Sequence, residues 1–166
     1  METCLYLIAT PIGNLDDITF RAVEILKKVD IVACEDTRKT SRLLTHFKIK
    51  KKLVSLHQHN EKNKTDFLIN KLLNGNSIAF ASDAGTPAIS DPGAFLVNQA
   101  LEQEIKVSPI PGPSSITSAF SVSGIQTTQF KFYGFLPNTS GKCKKVLEEI
   151  YNQDLPTIIF ESPHRI

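Results

Sequence analysis

An apolar run, Ile78-Ala79-Phe80-Ala81, leads directly into Ser82-Asp83-Ala84-Gly85-Thr86-Pro87-Ala88-Ile89-Ser90-Asp91-Pro92-Gly93, and this stretch limits what the chain can become. The run has the length of a buried strand. Beyond the loop, Phe95, Leu96, Val97 and Leu101 have the spacing of a helix face. Between them lie two carboxylates, two serines, a threonine, two glycines and two prolines, so the backbone can turn sharply and approach a ligand closely. A strand feeding a helix in this way is half of a βαβ unit. In open sheets of such units, ligands bind outside the carboxyl ends of the strands. Alone, the loop is equally consistent with an ordinary strand-to-helix connection; two more loops of the same character tilt the balance.

The rest of the chain repeats the alternation. Cys4 to Ala9 reads as a strand, followed by the turn-rich Thr10-Pro11-Ile12-Gly13-Asn14-Leu15-Asp16-Asp17. A helix is expected from Ile18, capped by Asp16 or Asp17, with Phe20, Val23, Leu26 and Val29 on one face. Asp30 to Cys34 is a second strand, ending in Glu35-Asp36-Thr37-Arg38. A basic helix with Leu43, Leu44 and Phe47 on its apolar side comes next. Leu53 to Leu56 is a weaker strand, closed by His57-Gln58-His59-Asn60. A helix from Glu61 to Leu73 then presents Phe67, Leu68, Leu72 and Leu73 inward. After the central loop and its helix, Ile105 to Pro109 is a strand running into Ile110-Pro111-Gly112-Pro113-Ser114-Ser115 and a helix of small residues. The expected fold is α/β, a mostly parallel sheet with helices on both faces, over residues 1–124. Residues 125–166 read as the start of a second α/β domain: strand Phe130 to Phe135, helix Gly141 to Asn152, strand Thr157 to Glu161. That segment is too short to close a core. An ending straight after a strand is expected of a piece of a longer protein or of a truncated copy.

An apolar fraction of 41% with 22% charged residues suits a folded globular chain, and no window reaches the length of a membrane span. Cys4, Cys34 and Cys143 are odd in number, widely spaced and without zinc-site spacing. Reduced thiols, a cytoplasmic location and no metal are therefore expected. The first apolar run has no basic segment before it, unlike a secretory signal. The net charge of +2 is uneven, because Arg38, Lys39, Arg42, Lys48, Lys50, Lys51 and Lys52 fall in a stretch, Thr37 to Asn60, without an acidic residue. Taking these seven from the 19 basic side chains leaves 12 against 17 acidic ones, about −5. A positive strip on a slightly acidic body suits a polyanion, and also an ordinary solvated helix end.

No phosphate loop ending in Lys-Ser/Thr, no Gly-x-Gly-x-x-Gly and no Gly-x-Ser-x-Gly elbow is present. In their place the three loops around Gly13, Asp83–Gly85 and Gly112–Ser115 would line one crevice with amides, hydroxyls and a carboxylate, which suits a nucleoside-like ligand. Several stretches resemble motifs of the tetrapyrrole methylase superfamily, and within it the enzymes that methylate small-subunit ribosomal RNA. They are Thr10 to Thr19, Glu35-Asp36-Thr37-Arg38, Ser82 to Pro87 with Ser90 to Gly93, Pro109 to Ser114, Gly134-Phe135-Leu136-Pro137 and Glu161-Ser162-Pro163-His164-Arg165.

The resemblance implies methyl transfer from S-adenosylmethionine (SAM) to the 2′-hydroxyl of a cytidine in 16S ribosomal RNA, within the assembled subunit. It also implies a homodimer in the full-length form, and no membrane. Cofactor contacts would be Ile12, Gly13, Ala81, Ser82, Asp83, Thr86, Ser114, Ser115 and Glu161. Candidates for a base are Asp36 first, then Glu35, Glu161 and His164; for Asp36 the alternative is pairing with Arg38 or capping the next helix. RNA contacts would be Arg38, Arg42, Lys50, Lys51, Lys52, His57 and His59, giving affinity without sequence choice. The alternatives are a methylase of a tetrapyrrole-like small molecule and a non-catalytic remnant that binds RNA or SAM.

Overall fold

The computed structural model describes residues 2–166, which divide into two compact units, 2–114 and 115–166. The first unit holds strands β1 (Leu5–Ile8), β2 (Ile31–Cys34), β3 (Lys52–Ser55), β4 (Ile78–Ala81) and β5 (Val107–Ile110). Helices α1 (Phe20–Lys28), α2 (Thr37–His46), α3 (Glu61–Leu73) and α4 (Ala94–Glu102) connect them. The strands form one sheet in the order β3-β2-β4-β1-β5, and every pairing is parallel.

Two-residue alternation sorts the side chains onto two cores. Leu5, Ile31, Ala33, Ile78 and Phe80 pack with Leu68, Ile69 and Leu72 of α3 and Leu96 and Ala100 of α4. Ile8, Val32, Ala79 and Ala81 pack on the other face with Ala22 and Leu26 of α1 and Leu44 of α2. The chain runs outward from β1 to β2 to β3 with its helices on one face. It returns through β4 and β5 with its helices on the other, as right-handed crossovers require when direction reverses. Inserted between β2 and β1, β4 sends its loop toward one face while both neighbours send theirs toward the other. The sheet therefore opens a crevice at the carboxyl end of β4.

Local expectations are corrected in three places. The cap of α1 is Thr19, whose Oγ1 accepts from the Ala22 N–H at 3.1 Å; Asp16 and Asp17 sit in a short 3-10 turn capped by Asn14. Phe20 then falls on the outer side of α1 and is 94% exposed, while Ala22, Leu26 and Val29 face inward. In α3 the buried arc is Thr65, Leu68, Ile69 and Leu72. Phe67 and Leu73 each lie one residue from that arc, a rotation of about 100°, and are exposed.

The second unit contains α5 (Ser115–Ser121), β6 (Lys131–Phe135), α6 (Ser140–Tyr151) and β7 (Thr157–Phe160), with β6 and β7 parallel. Phe120 of α5 stacks on Phe130 at 4.6 Å, which groups α5 with this unit; the division falls ahead of the Gly124 linker. Phe132 and Phe135 both pack edge-on against Phe160. Leu136 is buried, whereas Phe135, Leu147, Tyr151 and Ile159 remain exposed.

Gly93, the residue before α4, has φ +115, and a Cβ there would lie 2.3 Å from Cε1 of the fully buried Phe80. Gly93→Ala therefore combines a left-handed backbone with overpacking of the core, and a loss of roughly 2–5 kcal/mol is expected. Urea denaturation of the variant and wild type checks this; an unchanged midpoint excludes it.

Candidate functional site

The first of the three loops is joined to the second by a pair of backbone hydrogen bonds. Thr10 N–H donates to Gly85 O at 2.9 Å and Gly85 N–H donates to Thr10 O at 3.0 Å. The buried Thr10 hydroxyl also donates to Ser82 O. The third loop joins through Thr86 Oγ1, which donates to Pro113 O at 3.3 Å, and through Gly112, where a Cβ would meet the Ala9 methyl at 3.1 Å. Gly85, at φ +81, lies against Ile12: a Cβ there would be 3.5 Å from Ile12 Cγ2. The loops expected to converge do so, at the carboxyl ends of β1, β4 and β5. Within the second, Ala88 (φ 65) and Ser90 (φ 59) are left-handed without being glycine, at about 1–2 kcal/mol each. Strain of this kind collects at functional sites.

Asp83 links this crevice to the end of β2. Its Oδ1 accepts the Asp36 N–H at 3.0 Å and its Oδ2 accepts Lys39 Nζ at 2.7 Å. Lys39 comes from the first turn of α2, which begins where β2 ends. Asp36 is spent on Arg38: it accepts the Arg38 N–H as the helix cap and receives both Nε and an Nη of the guanidinium. Those bonds hold its carboxyl at about 2, well below the usual range. The pairing-and-capping alternative is thus the geometry found, and a carboxylate held there is a weak proton acceptor near neutral pH.

Glu35 and Asp91 behave in the opposite way. Burial raises the Glu35 carboxyl, and the nearby charges of Asp83 and Asp91 raise it further. Asp91 is raised by burial and by Asp83, with an opposing bond from the Ser82 hydroxyl. The crevice therefore gathers three carboxylates, Glu35, Asp83 and Asp91, with Lys39 paired to Asp83.

The expected RNA contacts divide. Arg42, Lys50 and Lys52 are exposed along α2 and the start of β3. Arg38 is exposed but paired with Asp36. Lys51 is turned inward, its Nζ donating to the Val29 carbonyl at the end of α1. His57 is half-buried at the end of β3, its N–H held by Asn60 Oδ1, with its ring edge-on to exposed His59.

Ser114 closes the first unit, while Ser115, Glu161 and His164 belong to the second. There Glu161 pairs with Arg165 at 3.3 Å and accepts the Ser162 N–H at 2.7 Å. Arg165 also donates to Leu136 O, Pro137 O and Asn138 Oδ1, so one guanidinium fastens the Gly134–Pro137 motif to the Glu161–Arg165 motif. His164 is exposed.

A family model described as "Tetrapyrrole (Corrin/Porphyrin) Methylases" matches residues 4–166. The chain belongs to the tetrapyrrole methylase family. It is 52% identical over 162 residues to "Ribosomal RNA small subunit methyltransferase I" of Vibrio cholerae, covering 98% of this chain and 56% of that one. The protein of the same name from Halalkalibacterium halodurans is 50% identical, with the same coverage of 98% and 56%. The chain thus spans little more than half the length of these curated relatives. Among solved structures, a diphthine synthase aligns with a TM-score of 0.72 at 19% identity, over 97% of this chain and 65% of that one. A uroporphyrin-III-C-methyltransferase from Thermus thermophilus gives 0.61 at 19% identity, over 82% and 60%. At that identity the likeness is one of fold.

Within this tetrapyrrole methylase chain, sequence reasoning passed over Lys39, Asp91 as a buried carboxylate, and Arg165 as a clasp. Lys39 had a signal: it lies three residues after Asp36, in a helix opening at a strand end, so it shares a face with the cap.

A raised carboxyl costs stability once it ionises in the folded state. For Glu35 the penalty is absent below the ordinary carboxylate range and grows as pH rises toward its raised folded value. Glu35→Gln is accordingly expected to melt higher than wild type at pH 7.5 and to coincide with it at pH 4. Thermal denaturation at both pH values checks the sign, and a variant less stable at pH 7.5 contradicts it.

Proposed function

We propose that this chain forms the cofactor-binding part of a SAM-dependent methyltransferase acting on the ribose 2′-hydroxyl of a cytidine in 16S ribosomal RNA. The observation that carries this reading is the convergence of the three loops, through Thr10–Gly85, Thr86–Pro113 and Gly112–Ala9, on the open carboxyl end of β4. The names of the relatives supply the class of substrate, and the exposed Arg42, Lys50 and Lys52 supply a surface for phosphates. The intact, assembled small subunit is the proposed partner, and a cytoplasmic homodimer the proposed form of the full-length protein.

The residues present fit the cofactor. Each Asp83 oxygen has one protein partner and so keeps lone pairs for the vicinal hydroxyls of a ribose. Gly13 leaves open space, with nothing within 4 Å of a Cβ, beside the Ile12 side chain. Half-buried carboxylates at Glu35 and Asp91 favour a ligand that carries positive charge. When bound, SAM supplies a methyl group already activated on a sulfonium. In this scheme Ile12, Gly13, Ala81, Ser82, Thr86 and Ser114 shape the cradle around Asp83. The proton of the acceptor hydroxyl falls to the protein. Glu35 is the proposed acceptor ahead of Asp36, because its raised carboxyl holds a proton more readily than one tied to Arg38; Glu161 and His164 are the remaining candidates. Positioning of the acceptor oxygen supplies up to about 7–11 kcal/mol, and a base about 10²–10⁴-fold.

Asp83→Ala is expected to weaken SAM binding at least tenfold by isothermal titration calorimetry. Glu35→Gln, assayed at saturating SAM, is expected to lower methyl transfer to isolated small subunits by about 10²-fold or more. Unchanged SAM affinity in Asp83→Ala refutes the cradle. Unchanged transfer in Glu35→Gln refutes the base alone.

A further inference from the structure

On the α1–α2 side of the Thr10–Gly85 bridge lies a cavity of about 180 Å³. Its lining includes the polar Lys39, Arg42 and Asp83 and the apolar Pro11, Leu15 and Leu43. At about 30 Å³ for each water, it has the room of roughly six waters, a space for one ring system rather than a whole cofactor. Lys39 and Arg42 are three residues apart on α2 and stand on one helix face at the cavity's edge. Arg42, like Lys50 and Lys52, is exposed, and among the described residues it forms no ion pair. Leu15 is 41% exposed, an apolar side chain presented to solvent at the mouth.

Cations and apolar carbon lining one cavity match two parts of one nucleotide, its phosphate and its base. We propose that this cavity receives a single unpaired nucleotide of the RNA substrate, with Arg42 and Lys39 on its phosphate and Pro11, Leu15 and Leu43 against its base. The proposal rests on the RNA methyltransferase reading above and adds a pocket to it. Single-stranded RNA is recognised largely through such splayed-out bases, whereas surface cations alone read only the backbone. The cavity borders Asp83, so the nucleotide held here lies next to the proposed cofactor cradle.

Two variants separate pocket from surface charge. Filter binding of small-subunit ribosomal RNA is measured across a salt series, and SAM binding by calorimetry, for wild type, Arg42→Ala and Leu15→Trp. Both changes are at exposed positions, and thermal melts check that each variant folds. Arg42→Ala is expected to reduce the slope of log affinity against log salt by about 0.7, the share of one single-strand phosphate. Leu15→Trp, which carries no charge, is expected to weaken RNA binding about tenfold at every salt concentration with the slope unchanged. Neither variant alters SAM affinity. RNA affinity in Leu15→Trp equal to wild type, or no RNA binding by wild type, overturns the pocket. Weakened SAM binding in Leu15→Trp overturns it too, by giving the cavity to the cofactor. If wild type fails to bind SAM while Leu15→Trp still loses RNA, the methyltransferase reading fails and the nucleotide pocket stands.

Discussion

Two hydrogen bonds between Thr10 and Gly85 hold the site together. They extend the β1–β4 pairing past the strand ends, but with the local direction reversed, so that two loops leaving for opposite faces are first pinned side by side. Each such bond is worth only about 1 kcal/mol net. Their importance is geometric: Thr10 must be buried enough to spend its hydroxyl on Ser82, and Gly85 must accept a left-handed φ against Ile12. Gly112 then closes the third side, because only a residue without a side chain leaves the neighbouring Ala9 undisturbed. Parallel topology supplies the crevice, and these contacts give it walls.

The charges in that crevice are arranged against stability. Glu35 and Asp91 are half-buried carboxylates raised by desolvation and by Asp83, while the ion pair of Lys39 is with Asp83. Asp36, the residue after Glu35, shows the opposite economy, with a guanidinium and a helix N-terminus both serving it. Left-handed Ala88 and Ser90 add backbone strain to the same loop. Fold and hollow therefore draw on different requirements. The core under the sheet, with Phe80 sealed beneath Gly93, carries the cost.

Much of this was legible beforehand. Hydrophobic periodicity located all five strands of the first unit within a residue or two, because each is a short apolar run bounded by turn residues. The loops were legible because Gly, Pro, Ser and Asp cluster at strand ends for backbone reasons that spacing alone reveals. Burial of individual side chains was less so. Phe20 and Leu73 look like core residues until the register of the helix is known, and the register of α1 depended on Thr19 outcompeting Asp16 and Asp17 as the cap. Pairings between distant residues left no trace in composition: Lys39 with Asp83, or Arg165 with the carbonyls of Leu136 and Pro137, required the fold. Lys51 shows the same limit from the other side, since a lysine in a basic run reads as a surface charge until its ammonium is found on Val29 O.

The uneven charge of the chain acquires a meaning from this geometry. A basic strip along α2 and β3 ends at a hollow rich in carboxylate, and the two meet at one ion pair, Lys39 with Asp83. If the strip served only solubility, its cations would be expected to neutralise the nearest buried acids, since a paired carboxylate is less costly than an unpaired one. Arg42, Lys50 and Lys52 instead face outward while Glu35 and Asp91 keep their raised carboxyls. Keeping the two populations apart gives adjacent regions of opposite sign. Such a surface suits a cationic ligand beside an anionic one, which is what the proposed transfer from a sulfonium to a nucleic acid would need.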